Sequence, residues 1–235
     1  MSIASNVAEI RACIAAAARR AGRNPDDVVL MGVSKTFPAE AVREAYAAGV
    51  RVFGENRVQE FAEKFSALAH LPDAEWRLIG HLQSNKAGKA AELFSAVDSV
   101  DSLRLAERLN AAAAAIGRTL RVLIEINIGG EQAKAGLDPS SPELEAILQA
   151  APRLDHLEIQ GLMAIPPFFE NPEDARPYCR KLREVRDGIA KRHVSGAGMS
   201  VLSMGMSHDF EIAVEEGSTC VRVGTAIFGA REPRA

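Results

Sequence analysis

Short apolar segments alternate with longer amphipathic segments along the chain, and this alternation most restricts its fold. Eight segments have the short, β-branched pattern of buried strands, and each precedes a helical pattern or the chain end. The predicted strands are residues 28–35, 50–53, 76–79, 96–100, 120–128, 157–165, 201–206 and 220–226. The predicted helices are residues 3–21, 39–48, 57–69, 87–94, 103–116, 142–154, 172–193 and 210–216.

This order of elements predicts an α/β protein, with residues 1–235 forming one domain. The expected fold is a single (β/α)8 TIM barrel with an extra N-terminal helix. An open doubly wound sheet is the alternative, but no G-x-G-x-x-G fingerprint follows the first strand. No linker rich in Pro, Gly or Ser divides the chain. The sequence therefore favours the closed barrel.

Composition excludes several classes of function. The net charge is -3, and no run of Lys or Arg exceeds a pair, so we expect no nucleic-acid partner. No stretch approaches the ~20 apolar residues that a membrane-spanning helix needs. The three cysteines, Cys13, Cys179 and Cys220, lack the spacing of metal ligands. We therefore expect a cytoplasmic protein with reduced thiols, no bound metal and no membrane insertion.

The first predicted strand ends at Lys35. Its apolar run, residues 28–33, is bounded by Asp26 and Asp27 before it and by Pro38 after it, which suits a strand buried on both faces. An ammonium group held against an apolar barrel mouth is desolvated, so its pKa falls and the free amine can attack a carbonyl. Lys35 is therefore a candidate Schiff-base lysine. The alternative is a lysine that extends from the strand end into water.

Other polar residues follow the remaining predicted strands. In a (β/α)8 barrel, functional side chains come from the C-terminal ends of the strands, so their convergence predicts one site. Asn, Asp and Ser at such positions also serve as helix caps and turn formers. His81 and His208 are either acid–base partners or hydrogen-bonded scaffold residues. The strand-end set comprises Lys35, Asn56, His81, Asp98, Asn127, Ser207 and Thr225.

The junctions after the last two strands have the composition of a phosphate-binding cup. Barrels commonly bind phosphate with the loops after strands seven and eight. Gly224 permits close backbone approach, while Ser207 and Thr225 add hydroxyl donors. A covalent lysine and a phosphate cup together match pyridoxal 5′-phosphate. They equally match a phosphorylated sugar bound by a lysine aldolase, so both interpretations remain open.

Arg222 alternates with Val221 and Val223, which predicts that its guanidinium points into the barrel. A buried arginine needs a hydrogen-bond acceptor. The candidates are a carboxylate, Asp98 or Glu125, and a ligand's ring nitrogen or phosphate.

Six segments in this order resemble the pyridoxal phosphate homeostasis proteins, also called the proline synthase co-transcribed homologue family. They are VSKT at 33–36, FGENRVQE at 53–60, IGHLQSNK at 79–86, GLMAIP at 161–166, LSMGMS at 202–207 and VRVGTAIFG at 221–229. The resemblance implies a barrel like the N-terminal domain of alanine racemase, with pyridoxal phosphate held as an internal aldimine on Lys35. It places Asn56 beside the cofactor and Arg222 at the pyridine nitrogen. It assigns phosphate binding to Ser207, Gly224 and Thr225.

The same resemblance implies a role in intracellular vitamin B6 homeostasis, and thereby in amino-acid and keto-acid balance, with no established reaction and no catalytic residue. Apo pyridoxal-phosphate enzymes are candidate partners, and we expect a monomer. A small racemase-like enzyme is the main alternative, and a cofactor-free Schiff-base aldolase is another. We expect the length of 235 residues to leave no second domain that would carry another catalytic base.

Overall fold

The computed structural model describes residues 2–131 and 135–230, and its eight parallel strands close into a barrel. Each strand pairs with the next along the chain, and the last strand pairs with the first, with Val29 opposite Cys220. The (β/α)8 fold predicted from the sequence is confirmed. The strands are β1 (Val29–Val33), β2 (Val52–Glu55), β3 (Glu75–Leu78), β4 (Ala96–Val100), β5 (Leu120–Glu125), β6 (Leu157–Met163), β7 (Ala197–Ser203) and β8 (Cys220–Val223).

The helices between the strands are amphipathic. In the first helix, the Ser2 side chain accepts a hydrogen bond from the Ser5 N–H at the N-cap, and the buried face carries Val7, Ile10 and Ile14. The described helices are α1 (Ile3–Arg20), α2 (Ala39–Ala47), α3 (Val58–Leu68), α4 (Ala87–Leu93), α5 (Leu103–Ala115), α6 (Pro142–Ala150), α7 (Arg176–Ala190), α8 (Phe210–Glu215) and α9 (Thr225–Phe228).

The N-terminal helix α1 completes the outer layer. It packs against α2, α8 and α9. Since α9 has only four residues, it is too short to cover the last strand alone. The Asn6 side chain donates a hydrogen bond of 2.9 Å to the Ile227 carbonyl and so joins the two helices. The extra helix therefore occupies the place of a full eighth helix.

Several strands end where the sequence did not predict. We predicted that β5 runs to residue 128, that β7 spans 201–206 and that β8 runs to 226, whereas they end at Glu125, Ser203 and Val223. After β8, the Gly224 carbonyl accepts hydrogen bonds from the N–H groups of Ile227 and Phe228, so the backbone turns into α9. Apolar residues continue past the ends of β5, β7 and β8, but the backbone there leaves the strand direction, so the pattern predicted strands that are too long.

The barrel interior contains both apolar and charged side chains. Met31, Val33, Ile79 and Cys220 form a small apolar cluster, separate from the main core.

Across residues 2–131 and 135–230, no helix has the length and apolar character needed to cross a bilayer. Over the same residues, no three His, Cys, Asp or Glu side chains are placed to share a metal ion.

Candidate functional site

A cavity of about 560 Å3 lies at the C-terminal ends of the strands. This volume is typical of sites for small molecules. The cavity brings together most of the polar side chains that the sequence placed at strand ends. Its wall includes Lys35, Asn56, His81, Asn127, Ser207, Arg222, Gly224 and Thr225.

Asp98 is not in the wall of this cavity, so its assignment to the strand-end set was wrong. It lies in the middle of β4 and is fully buried. Its Oδ1 accepts hydrogen bonds from Nε and Nη2 of Arg77, at 3.0 and 2.8 Å. The carboxylate therefore has a structural partner, as a buried charge requires.

Lys35 lies in a turn just after β1, two residues beyond the strand end rather than within the predicted strand. An ion pair between the half-buried Lys64 and the buried Glu55 holds this turn from the side of α3. Glu55 Oε1 accepts a hydrogen bond from Ser34 Oγ and contacts Lys64 Nζ, each at 2.7 Å. Lys64 Nζ also donates to the carbonyls of Ser34 (2.9 Å) and Phe37 (3.3 Å). The backbone on both sides of Lys35 is therefore anchored.

The residue after Lys35 has an unusual backbone conformation. Thr36 has a φ of +69°, a value that is rare for a β-branched residue. Phe37 stacks on Phe228 of α9, with ring centroids 4.8 Å apart. Because contacts with α3 and α9 hold the turn, its strained geometry is maintained by tertiary structure.

The predicted phosphate cup is a set of converging backbone and hydroxyl groups. Ser207 Oγ accepts hydrogen bonds from the N–H groups of Gly224 (3.2 Å) and Ala226 (3.4 Å). Thr225 is exposed beside them in the cavity wall. The amides hold Ser207 Oγ in place, and the hydroxyls of Ser207 and Thr225 supply donors that suit an anion.

A tight turn positions this cup after β7. Gly205 has a φ of +94°, and a Cβ atom there would lie 2.5 Å from the Cβ of Ala213. Only glycine fits this turn. Asp209 then accepts a hydrogen bond of 2.6 Å from the Met206 N–H, which closes the loop that carries Ser207.

Arg222 points into the barrel, as the alternation with its valine neighbours predicted, and is 4% exposed. Its Nη1 donates to Ser203 Oγ at 2.7 Å, and its Nη2 donates to the Ala164 carbonyl at 2.8 Å. Of the two kinds of acceptor that the sequence suggested, the carboxylates Asp98 and Glu125 were wrong, while a ligand atom stays a prediction. The hydroxyl of Ser203, at the end of β7, and the carbonyl of Ala164, just after β6, are the acceptors.

Asn56 enters the cavity wall through a close contact between two strand ends. A Cβ atom on Gly80 would lie 2.3 Å from the Asn56 carbonyl oxygen, so the position after β3 requires glycine. Beyond Gly80, His81 Nδ1 lies 3.1 Å from Asp101 Oδ2. His208 Nε2 lies 3.1 Å from the Glu170 carbonyl. Both histidines line the cavity with one nitrogen in a scaffold contact, which agrees with their scaffold interpretation.

Sequence reasoning missed two notable residues of the wall. Glu125 was considered only as a partner of Arg222, yet its burial raises its pKa to about 7 and it lines the cavity. The sequence signal that could have identified Glu125 is a single carboxylate within the apolar run that forms the end of β5. Phe168 is 74% exposed and lies near His208, with ring centroids 5.3 Å apart. No sequence pattern marked Phe168, because it lies in a loop without periodicity.

The fold and the site define a barrel of the alanine racemase type. The family described as "Alanine racemase, N-terminal domain" matches residues 5–232. A protein from Aquifex aeolicus named pyridoxal phosphate homeostasis protein is 44% identical over 232 residues, covering 99% of this chain and 100% of its own. A protein of the same name from Pseudomonas aeruginosa is 46% identical over 232 residues, covering 98% and 96%. The chain therefore belongs to the pyridoxal phosphate homeostasis protein family, and the predicted resemblance is confirmed.

Solved structures agree with this assignment. PipY from Synechococcus elongatus, with pyridoxal phosphate (PLP) bound, has a TM-score of 0.84 and 40% identity, covering 97% of this chain and 100% of its own. Alanine racemase from Streptomyces coelicolor has a TM-score of 0.69 and 23% identity, covering 95% of this chain and 58% of its own. The second likeness concerns the fold alone.

Proposed function

We propose that this chain is a single PLP-binding barrel domain that takes part in intracellular vitamin B6 homeostasis, and thereby in amino-acid and keto-acid balance. The observation that carries the proposal is the cavity in which Lys35, Arg222 and the Ser207 cup meet. A relative of 40% identity binds PLP in its solved structure, which supports the same ligand here. The name shared by the curated relatives supports the homeostatic role.

Within this proposal, each wall residue has a distinct task. Lys35 holds the cofactor covalently, and the cup of Ser207, Gly224 and Thr225 binds its phosphate. Arg222 faces the ring nitrogen, and Asn56 lies beside the ring. When bound, PLP supplies an aldehyde for the lysine and a ring that can stabilise negative charge. The donors and the volume of the cavity fit such a ligand.

The chemistry of Arg222 favours binding over catalysis. A guanidinium donates hydrogen bonds and accepts none, so it leaves a neighbouring ring nitrogen unprotonated. A ring in that state is a weak electron sink. The proposed role is therefore that of a cofactor carrier, with apo PLP enzymes as recipients and the monomer as the working form. The competing hypothesis is that the protein is a small racemase-like enzyme.

The deciding experiment incubates the holoprotein with L-alanine in deuterated water and, in parallel, with an apo PLP enzyme. A carrier should cause little exchange of the α-proton of L-alanine, because its bound cofactor is a weak electron sink. It should nevertheless activate the apoenzyme by releasing its cofactor. Fast α-deuteration that is lost in Lys35→Ala would instead establish a racemase-like activity. A protein that activates no apoenzyme and exchanges no proton would contradict the carrier role.

The phosphate cup makes a separate prediction. The double variant Ser207→Ala with Thr225→Ala should bind PLP at least about tenfold more weakly, because hydrogen bonds to charged groups contribute about 1.5–3 kcal/mol each. Affinity for pyridoxal, which lacks the phosphate, should hardly change. Fluorescence titration with both ligands measures the difference, and Ser66→Ala on the exposed face of α3 is the control. Equal losses for the two ligands would mean that the hydroxyls only support the local fold.

A further inference from the structure

Glu125 is a buried acid in the wall of the ligand cavity with no role in the proposed binding of PLP. It ends β5, is 6% exposed and lines the same cavity as Lys35. Among the described residues, no group forms a hydrogen bond with its Oε2. A buried polar atom without a partner is destabilising, so such an atom in a binding cavity points to a ligand-directed role.

The groups around Glu125 determine when it is charged. The pKa of Glu125 is raised to about 7, mainly by burial and also by the nearby Asp101 carboxylate, whereas Arg222 and His81 act to lower it. Lys35 and His208 are the other titratable side chains in the described wall. The carboxyl is therefore neutral in mild acid and negative in mild base.

The cavity offers little to receive the carboxylate of a ligand. Carboxylates are bound best by an arginine that donates two parallel hydrogen bonds. Arg222 is the arginine of the described wall; its Nη1 and Nη2 each donate to a protein oxygen, and the proposed function directs the guanidinium at the ring nitrogen rather than at a carboxylate. A ligand carboxylate beside Lys35 would instead share a confined cavity with Glu125, and like charges in such a space repel.

We propose that Glu125 is a specificity-determining residue that selects amines without an adjacent carboxylate over free α-amino acids. An example of a selected amine is the lysine side chain of another protein. This inference rests on the proposed function and names the chemical class of the acceptor. A carrier with this selectivity would pass its cofactor to a protein lysine and would resist its loss to the pool of free amino acids.

Two stable ligands test the selectivity without any reaction. Phosphopyridoxyl-glycine and phosphopyridoxyl-ethanolamine differ only in a carboxylate that is replaced by a hydroxymethyl group. The protein should bind the ethanolamine conjugate about tenfold more tightly or better at about pH 8, where Glu125 is ionised, and the preference should shrink at about pH 6. Because both ligands carry the same phosphate and the same ring, the titrations of those groups cancel in the comparison. Calorimetry of the full-length protein measures each Kd.

Two variants separate the role of Glu125 from that of its neighbour. Glu125→Gln should bind both conjugates with similar affinity at either pH. Asp101→Asn, which removes the carboxylate that pairs with His81, should keep the preference at about pH 8. A preference that is unchanged in Glu125→Gln, or is lost only in Asp101→Asn, would overturn the inference. If Glu125→Gln does not fold, equal preferences of the wild type at the two pH values overturn it.

The two proposals fail in different ways. If the protein does not bind PLP at all, the proposed function fails. If it binds PLP but shows no preference between the conjugates, only the inference about Glu125 fails.

The pH dependence of thermal stability tests the ionisation of Glu125 without any ligand. Because the pKa of Glu125 is higher in the folded state than its ordinary value of 4.5, the wild type loses stability as pH rises from about 4.5 through about 7. The Tm of Glu125→Gln relative to wild type should therefore increase between about pH 5 and about pH 8. A Tm difference that does not vary with pH would contradict the ionisation on which the selectivity depends.

Discussion

Replacing Lys35 by alanine is expected to abolish covalent attachment of PLP completely. Lys35 is the lysine in the described wall of the cavity, and its turn is held by Ser34, Glu55 and Lys64, so its amine is fixed at the position where PLP would attach. The wild-type protein should be yellow when loaded, and the absorbance band of the lysine-bound cofactor should be absent from Lys35→Ala. Borohydride reduction followed by peptide mapping identifies the attached lysine.

Two other lysines provide controls for this experiment. Lys86 ends the turn before α4, and Lys89 pairs with Glu92 on the surface at 2.8 Å. Alanine at either position should leave the absorbance band and the labelled peptide unchanged. A reduced adduct found mainly on Lys86, Lys89 or Lys134, the last of which lies outside the described residues, would contradict the assignment of Lys35. A colourless protein that takes up no added PLP would instead favour the cofactor-free aldolase.

Replacing Lys64 by methionine is expected to lower the free energy of unfolding by about 3–5 kcal/mol, as is typical when one partner of a buried ion pair is removed. The Glu55 side chain is fully buried, so its carboxylate would be left without a cation. The carbonyls of Ser34 and Phe37 would also lose a donor. Urea denaturation measures the loss, and weaker PLP binding should accompany it because the Lys35 turn is no longer anchored.

Matched variants show whether the loss comes from the buried charge. Lys89→Met breaks an exposed pair, whose side chains are 54% and 51% exposed, and should cost only about 0–1 kcal/mol. The double variant Lys64→Met with Glu55→Gln should recover part of the stability, because the unpaired charge is removed. If Lys64→Met and Lys89→Met destabilise the protein equally, the buried pair has no special role.

The sequence allowed the barrel to be predicted because strand and helix patterns are local and repeat along the chain. It marked Lys35 and the Ser207 to Thr225 cup because a polar residue after an apolar strand is visible without any structure. The inward direction of Arg222 followed from the two-residue period of a strand. Its acceptors did not follow, because Ser203 lies in β7 and the Ala164 carbonyl follows β6, and both are distant in sequence.

The order of elements, the extra helix and the chemical types in the site were thus determined by the sequence alone. The tertiary structure decided which charges meet, since pairs such as Arg77 with Asp98 and Lys64 with Glu55 join different elements. It also decided where strands end, because Gly205 and Gly224 redirect a backbone whose composition still favours strand. The raised pKa of Glu125 likewise comes mainly from its burial, and burial is a property of the closed barrel.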